Sequence, residues 1–199
     1  MTRLPGHGSN RRDQGVRFTL IGVDPGIIDT GAVSVTIDFS LRAVYVHTAL
    51  WTGVSSRDKL DKQKIVVSDK FLDEIAGFVQ NERANGGPTF VGIEGYRQRG
   101  YDKGQDQRMI DLIQTISRTL PKSKIVDNTG VRKTVKQGLL ELLHLAKFKK
   151  GGNHSDLKSA ARVALVLGIK DETINKLLTE LVVDLVDGGS WSFASTRTV

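Results

Sequence analysis

Ile21-Gly22-Val23-Asp24-Pro25-Gly26, running on to Thr30-Gly31-Ala32-Val33, is the stretch that decides how this 199-residue chain is read. Leu20, Ile21 and Val23 are apolar and read as a buried strand. Asp24 is charged and does not rest unpaired in an apolar core. Pro25 removes a backbone donor and Gly26 permits a sharp turn, so pairing stops there. The run from Ala32 to Ile37 reads as the partner strand of a hairpin. A carboxylate delivered to the end of a central strand is rigidly held, which suits a metal ligand. The plainer reading makes Asp24 a turn former before Pro25-Gly26.

Outward from that stretch, the chain is read as α/β. Strands are expected over residues 17–23, 31–38 and 42–51, close enough together for an antiparallel meander. Residues 53–64 are polar and read as a loop. The period then changes. Phe71, Leu72, Ile75, Ala76 and Val79 recur at helical spacing after Ser68, a plausible cap. Residues 89–94 form a second apolar strand that ends in an acid, Glu94. A basic loop with aromatics follows, holding Tyr96, Arg97, Arg99, Tyr101 and Lys103. Met109, Leu112, Ile113, Ile116 and Leu120 mark a helix stopped by Pro121. Lys124-Ile125-Val126 is a short strand before a basic turn at Arg132-Lys133. Residues 137–147 read as a leucine-rich helix. A helix starting near Asp156 carries the small residues Ala160, Ala161 and Ala164, which imply close packing on a sheet. Asp171 caps a last helix with Ile174, Leu178, Leu181 and Leu185 on one face. The tail to Val199 shows no pattern. Strands followed by alternating helices and strands imply a mixed sheet.

Composition bounds the function. The chain carries 29 Lys+Arg against 22 Asp+Glu, a net charge of +7, and no Cys. Disulfides, thiol nucleophiles and Cys-ligated zinc are excluded. The positive balance favours a polyanionic partner, although a basic protein without one has the same charge. No apolar run reaches the roughly 20 residues of a membrane span. A cytoplasmic setting is expected. Residues 1–15 read as a flexible basic arm, 16–170 as the main domain, and 171–199 as a helix and tail packed on it.

The chemistry gathers where Asp24, Glu94 and Asp156 would meet, with His154 beside them. Such a carboxylate cluster repels itself unless a cation sits in it. Hard oxygen ligands suit Mg²⁺ or Mn²⁺. Nearby cations, Arg97, Arg99, Lys103, Arg132, Lys133 and Lys136, would hold a nucleic-acid backbone. Each residue has a plainer role too. Glu94 is satisfied by an ion pair to Arg97 or Arg99, Asp156 by capping its helix, and Tyr96 and Tyr101 by loop packing.

These motifs resemble a known family. Ile21-Gly22-Val23-Asp24-Pro25-Gly26 with Thr30-Gly31 is similar to the opening motif of RuvC-type Holliday junction resolvases, within the RNase H-like nucleases. Val91-Gly92-Ile93-Glu94 is similar to their second acidic strand. The run from His154 to Arg162 resembles their last catalytic helix, above all in the phage-type versions. The resemblance implies a five-stranded mixed sheet, its first three strands antiparallel, with helices on both faces. It implies a homodimer that nicks four-way DNA junctions symmetrically with two divalent ions, Mg²⁺ or Mn²⁺. Asp24 would bridge both ions, Glu94 would bind one, and Asp156 would supply the third acid. His154 would act as a nearby base or ligand, and Tyr96 or Tyr101, in the loop where some family members place an aromatic, would stack on an unpaired base, although neither matches the family residue for residue. The last motif departs from the family. One register pairs Asp156 with Ser159, a one-turn shift pairs Asn153 with Asp156, and neither gives a full match.

Overall fold

The first strand, β1 (Arg17–Asp24), is buried on both faces from Phe18 to Val23. That is why its sequence is mostly apolar rather than alternating, with Thr19 the one polar side chain from Phe18 to Val23, its hydroxyl bonded to that of Thr36. The computed structural model describes residues 15–58, 61, 64–97, 103–148 and 154–198. β1 is followed by β2 (Asp29–Asp38), β3 (Ala43–Thr52), β4 (Ser55–Arg57), β5 (Ile65–Val67) and α1 (Asp69–Ala84). Then come β6 (Thr89–Gly95), α2 (Lys103–Thr119), β7 (Lys124–Asp127), and the short turns α3 (Val131–Thr134) and α4 (Gln137–Leu142). The chain ends with α5 (His154–Lys170), α6 (Glu172–Val186) and β8 (Ser192–Thr198). Among the described residues no helix is long and apolar enough to cross a membrane.

The main sheet runs β7-β6-β1-β2-β3-β8. β1, β2 and β3 form the expected antiparallel meander, and β6 and β7 add in parallel on the other side. The sheet therefore has six strands where five were expected. The sixth, β8, pairs in parallel with β3 at the edge. Its residues 194–197 are exposed, so backbone pairing holds it and no hydrophobic alternation betrays it in the sequence. Phe193 is the exception, with its ring stacked on His144 at 4.2 Å between centroids. Two further readings are corrected. The polar stretch 53–64 contains β4, which pairs with β5 in a separate two-stranded ribbon. The leucine-rich helix stops at Leu142 rather than reaching 147. His144, at φ 59, turns the chain left-handed just after it, which a continuing helix does not allow.

Each face of the sheet has its own core. On one, Leu20, Val33, Val35, Val44 and Val46 pack with α5, and Ile174, Leu178 and Leu181 of α6 join them. On the other, Ile21, Val23, Val91 and Ile93 pack with Ile75 and Phe78 of α1 and with Leu112 and Ile116 of α2. The predicted caps are present. Ser68 Oγ accepts from the Phe71 amide, and Asp171 accepts from Thr173 and Ile174.

A polar cluster is buried under α1. The Ser34 hydroxyl donates to Glu82 Oε2 at 2.6 Å, and His47 Nδ1 lies 2.6 Å from Glu82 Oε1. Ser34 and His47 face each other across β2 and β3. The helix is thus tied to the sheet through a carboxylate whose two oxygens are both used.

Candidate active site

Strand register brings the two strand-end acids together. β1 and β6 run parallel with Val23 opposite Ile93, so Asp24 and Glu94 leave adjacent strands at one level. Both point to the α5 face. A Cβ on Gly22 would stand 1.9 Å from the Ala160 carbonyl, and one on Gly92 would meet Leu167 at 2.7 Å. Residues two further on share those faces. Gly22 and Gly31 also explain how α5 comes so close. A Cβ on Gly31 would lie 3.1 Å from the backbone of Asp156. Glycine on the strands and alanine on the helix let the helix start settle over the ends of β1 and β2.

That approach delivers Asp156 and Ser159, one turn apart on α5. The Asp24 and Glu94 carboxyl groups are in hydrogen-bond contact, Ser159 bonds Asp24, and Asp156 adds its charge. Burial, then the neighbouring Glu94 and Asp156, push the Asp24 carboxyl from 3.8 up to about 9, with the Ser159 hydroxyl opposing them. At neutral pH the Asp24–Glu94 pair therefore holds one proton between its two carboxyl groups. A carboxylate pair that must share a proton is a pair short of a cation.

Asp24 and Asp156 open onto a cleft of about 400 Å³. It is walled by the turn at 25–29, by Tyr96, and by Gln105 and Met109 of α2. The turn is braced from behind. Ser55 donates to the Ile27 carbonyl at 2.7 Å, and the Val54 amide to that of Ile28. Tyr96 is half-buried, and its hydroxyl donates to the buried Asp106 at 2.6 Å.

Arg97, Arg132, Lys133 and Lys136 are exposed. Asp127 is held below the usual carboxylate range by the Thr129 hydroxyl and amide, with Arg97 adding a smaller pull. Arg132 stands in the field of Arg162 on α5, which in turn feels Glu94. Arg162 was not singled out in the sequence. Its signal is a lone charge in the apolar run of α5. Arg99, Tyr101 and Asn153 lie outside the described residues, as do the side chains of Lys103 and His154.

The donor set fits a hard divalent cation. Among the described residues no three His, Cys, Asp or Glu side chains are grouped tightly enough to hold an ion by themselves. Magnesium-like ions do not ask for that. They take one or two carboxylates and keep several waters. Asp24 and Glu94 in contact, with Asp156 and the Ser159 hydroxyl beside them, supply such a set.

No protein-family model and no curated protein matches the sequence. Among solved structures, the chain is similar to one of Thermus thermophilus RuvC, at 15% identity and a TM-score of 0.43, covering 81% of this chain and 96% of that one. It is also similar to Thermus thermophilus RuvC in complex with a Holliday junction substrate, at 15% identity and a TM-score of 0.40, covering 75% of this chain and 90% of the other.

Proposed function

We propose that this chain is a divalent-metal-dependent DNA endonuclease of the RNase H-like, RuvC type, acting as a homodimer to nick four-way junctions in pairs. One observation carries the reading: Asp24 and Glu94, side by side on parallel strands, share a proton while Asp156 and Ser159 close on them from α5. Asp24, Glu94 and Asp156 are the residues that would hold Mg²⁺ or Mn²⁺. A divalent ion bound there would generate a nucleophile from water and neutralise charge on the leaving oxygen of a phosphodiester.

The chain's own groups have defined tasks in this reading. Asp24 would give up its proton when the site is loaded, with Ser159 still donating to the freed carboxylate. Asp156 adds negative charge at the mouth of the cleft. Arg97, Arg132, Lys133 and Lys136 neutralise backbone phosphates and fix the duplex in register without reading its bases. Tyr96, anchored through its hydroxyl to Asp106, lines the cleft, where its ring would stack on an unpaired base.

A second reading is favoured by one residue. Ser159 stands where the resemblance places another acid, and a protein that binds junctions without cutting them would tolerate that. A labelled immobile four-way junction, a fork and a linear duplex, each with Mg²⁺, Mn²⁺ or EDTA, separate the readings. The first expects paired symmetric nicks in the junction, only with metal. Equal cutting of all three substrates would make it a general nuclease. Binding with no product in any metal would leave the binder.

A further inference from the structure

Residues 160–168 of α5 are buried, with one exception. That exception, Arg162, is the only charged residue among them. A guanidinium placed in a helix that otherwise belongs to the core is costly unless something answers its charge. Glu94 answers it in part. Against that, burial and the approach of Arg132 from α3 both disfavour the charged form of Arg162. Its Nε is buried and has no hydrogen-bond partner among the described residues. Two guanidinium groups thus stand in each other's field beside a single carboxylate that already shares a proton with Asp24. The arrangement leaves a positive charge only partly answered by Glu94 and a buried Nε–H without a partner among the described residues.

We propose that Arg162, together with Arg132, grips a backbone phosphate of the DNA strand lying across the Asp24–Glu94 pair. This rests on the nucleic-acid reading above and adds a specific anion site to it. The planar fork of an arginine suits a phosphate, and a second arginine from another element fixes it from the side. Arg162 comes from the helix that also carries Asp156 and Ser159, six and three residues earlier. The phosphate it holds is therefore set against the acids by one rigid element. Arg132, exposed on α3, supplies the solvent-side contact.

The test is metal-free binding, so that no activity enters. Anisotropy of a labelled four-way junction is followed in EDTA across a series of salt concentrations for the wild type, R162A, R162Q, R162K and R132A. Thermal melts accompany each variant. R162A and R162Q are expected to bind about tenfold more weakly at moderate salt, with the log–log salt slope reduced by about 0.9, one phosphate contact. R162K keeps the charge and is expected to keep the slope. R132A is expected to lose a similar increment. If Arg162 only neutralises Glu94, R162Q binds with the wild-type slope, and the proposal is overturned. Should R162A not fold, R162Q and R162K still give the comparison. A wild type that does not bind the junction overturns the nucleic-acid reading and this proposal together, which is a distinguishable result.

Discussion

Glu82, buried, and Asp24, half-buried at the cleft, stand against opposite faces of the same sheet, and their surroundings differ in kind. Glu82, under α1, accepts from Ser34 and meets His47, each at 2.6 Å. Asp24, under the start of α5, meets a second carboxyl, Glu94, and feels a third, Asp156. The first acid has donors for its oxygens and needs nothing more. The second is surrounded by acceptors, with Ser159 as its one helping hydroxyl, and it holds a proton far above its ordinary range. A buried carboxylate with donors ties elements together. A buried carboxylate among carboxylates is a place kept for a cation. Burial is the largest push on the Asp24 carboxyl and its acidic neighbours add to it, whereas Glu82, itself buried, has donors on both oxygens.

The sharpest way to break this comparison is to neutralise Asp24. Asp24→Asn is expected to lower cleavage by about 10³-fold or more, while leaving the metal-free fold intact. Its melting curve adds a sign. Asp24 titrates near 3.8 unfolded and about 9 folded. Between those values the folded chain holds a proton that the unfolded chain has lost. The stability this provides is present below about pH 4 and is lost as pH rises through about 9. Metal-free wild type should therefore lose melting temperature from pH 5 to 9 faster than Asp24→Asn does. Parallel curves would show that Asp24 is ionised in the folded chain and would end the contrast with Glu82.

The opposite change sharpens it. Glu82→Ala removes the acceptor of the Ser34 hydroxyl and the Nδ1 contact of His47 beneath α1. A loss of about 3 kcal/mol in unfolding free energy is expected by denaturant titration. Cleavage per folded molecule should stay near wild type, because the two faces share no side chain of the site. A variant as stable as wild type would show that Glu82 is no tie.

Much of this was legible beforehand. Asp24 and Glu94 were readable because a charge closing a continuous apolar run has few innocent explanations. Asp156 was readable from the small residues after it, since alanines at 160, 161 and 164 forecast a helix pressed onto a sheet. Gly22 and Gly31, the other half of that contact, were quoted for the strand and turn but gain their meaning only once the helix lies over them. Of the residues in the two registers of the last motif, Ser159 bonds Asp24 and Asn153 lies outside the described residues. β8 was illegible because an exposed edge strand needs only backbone pairing and shows no period of two. Glu82 was unreadable as a tie, since Ser34 and His47 lie far from it in sequence. Arg162 carried a signal, a single charge in an apolar helix, but its partners come from two other elements that only the fold brings together.

The central claim is that the Asp24–Glu94 pair exchanges a shared proton for a divalent ion. Calorimetric titration of Mn²⁺ into the full-length protein at pH 8, in two buffers of different ionisation enthalpy, measures both binding and proton release. The account predicts saturable binding with release of about one proton per chain, and in Asp24→Asn far weaker binding with none released. Equal binding by the two proteins, or binding by the wild type without proton release, would contradict it.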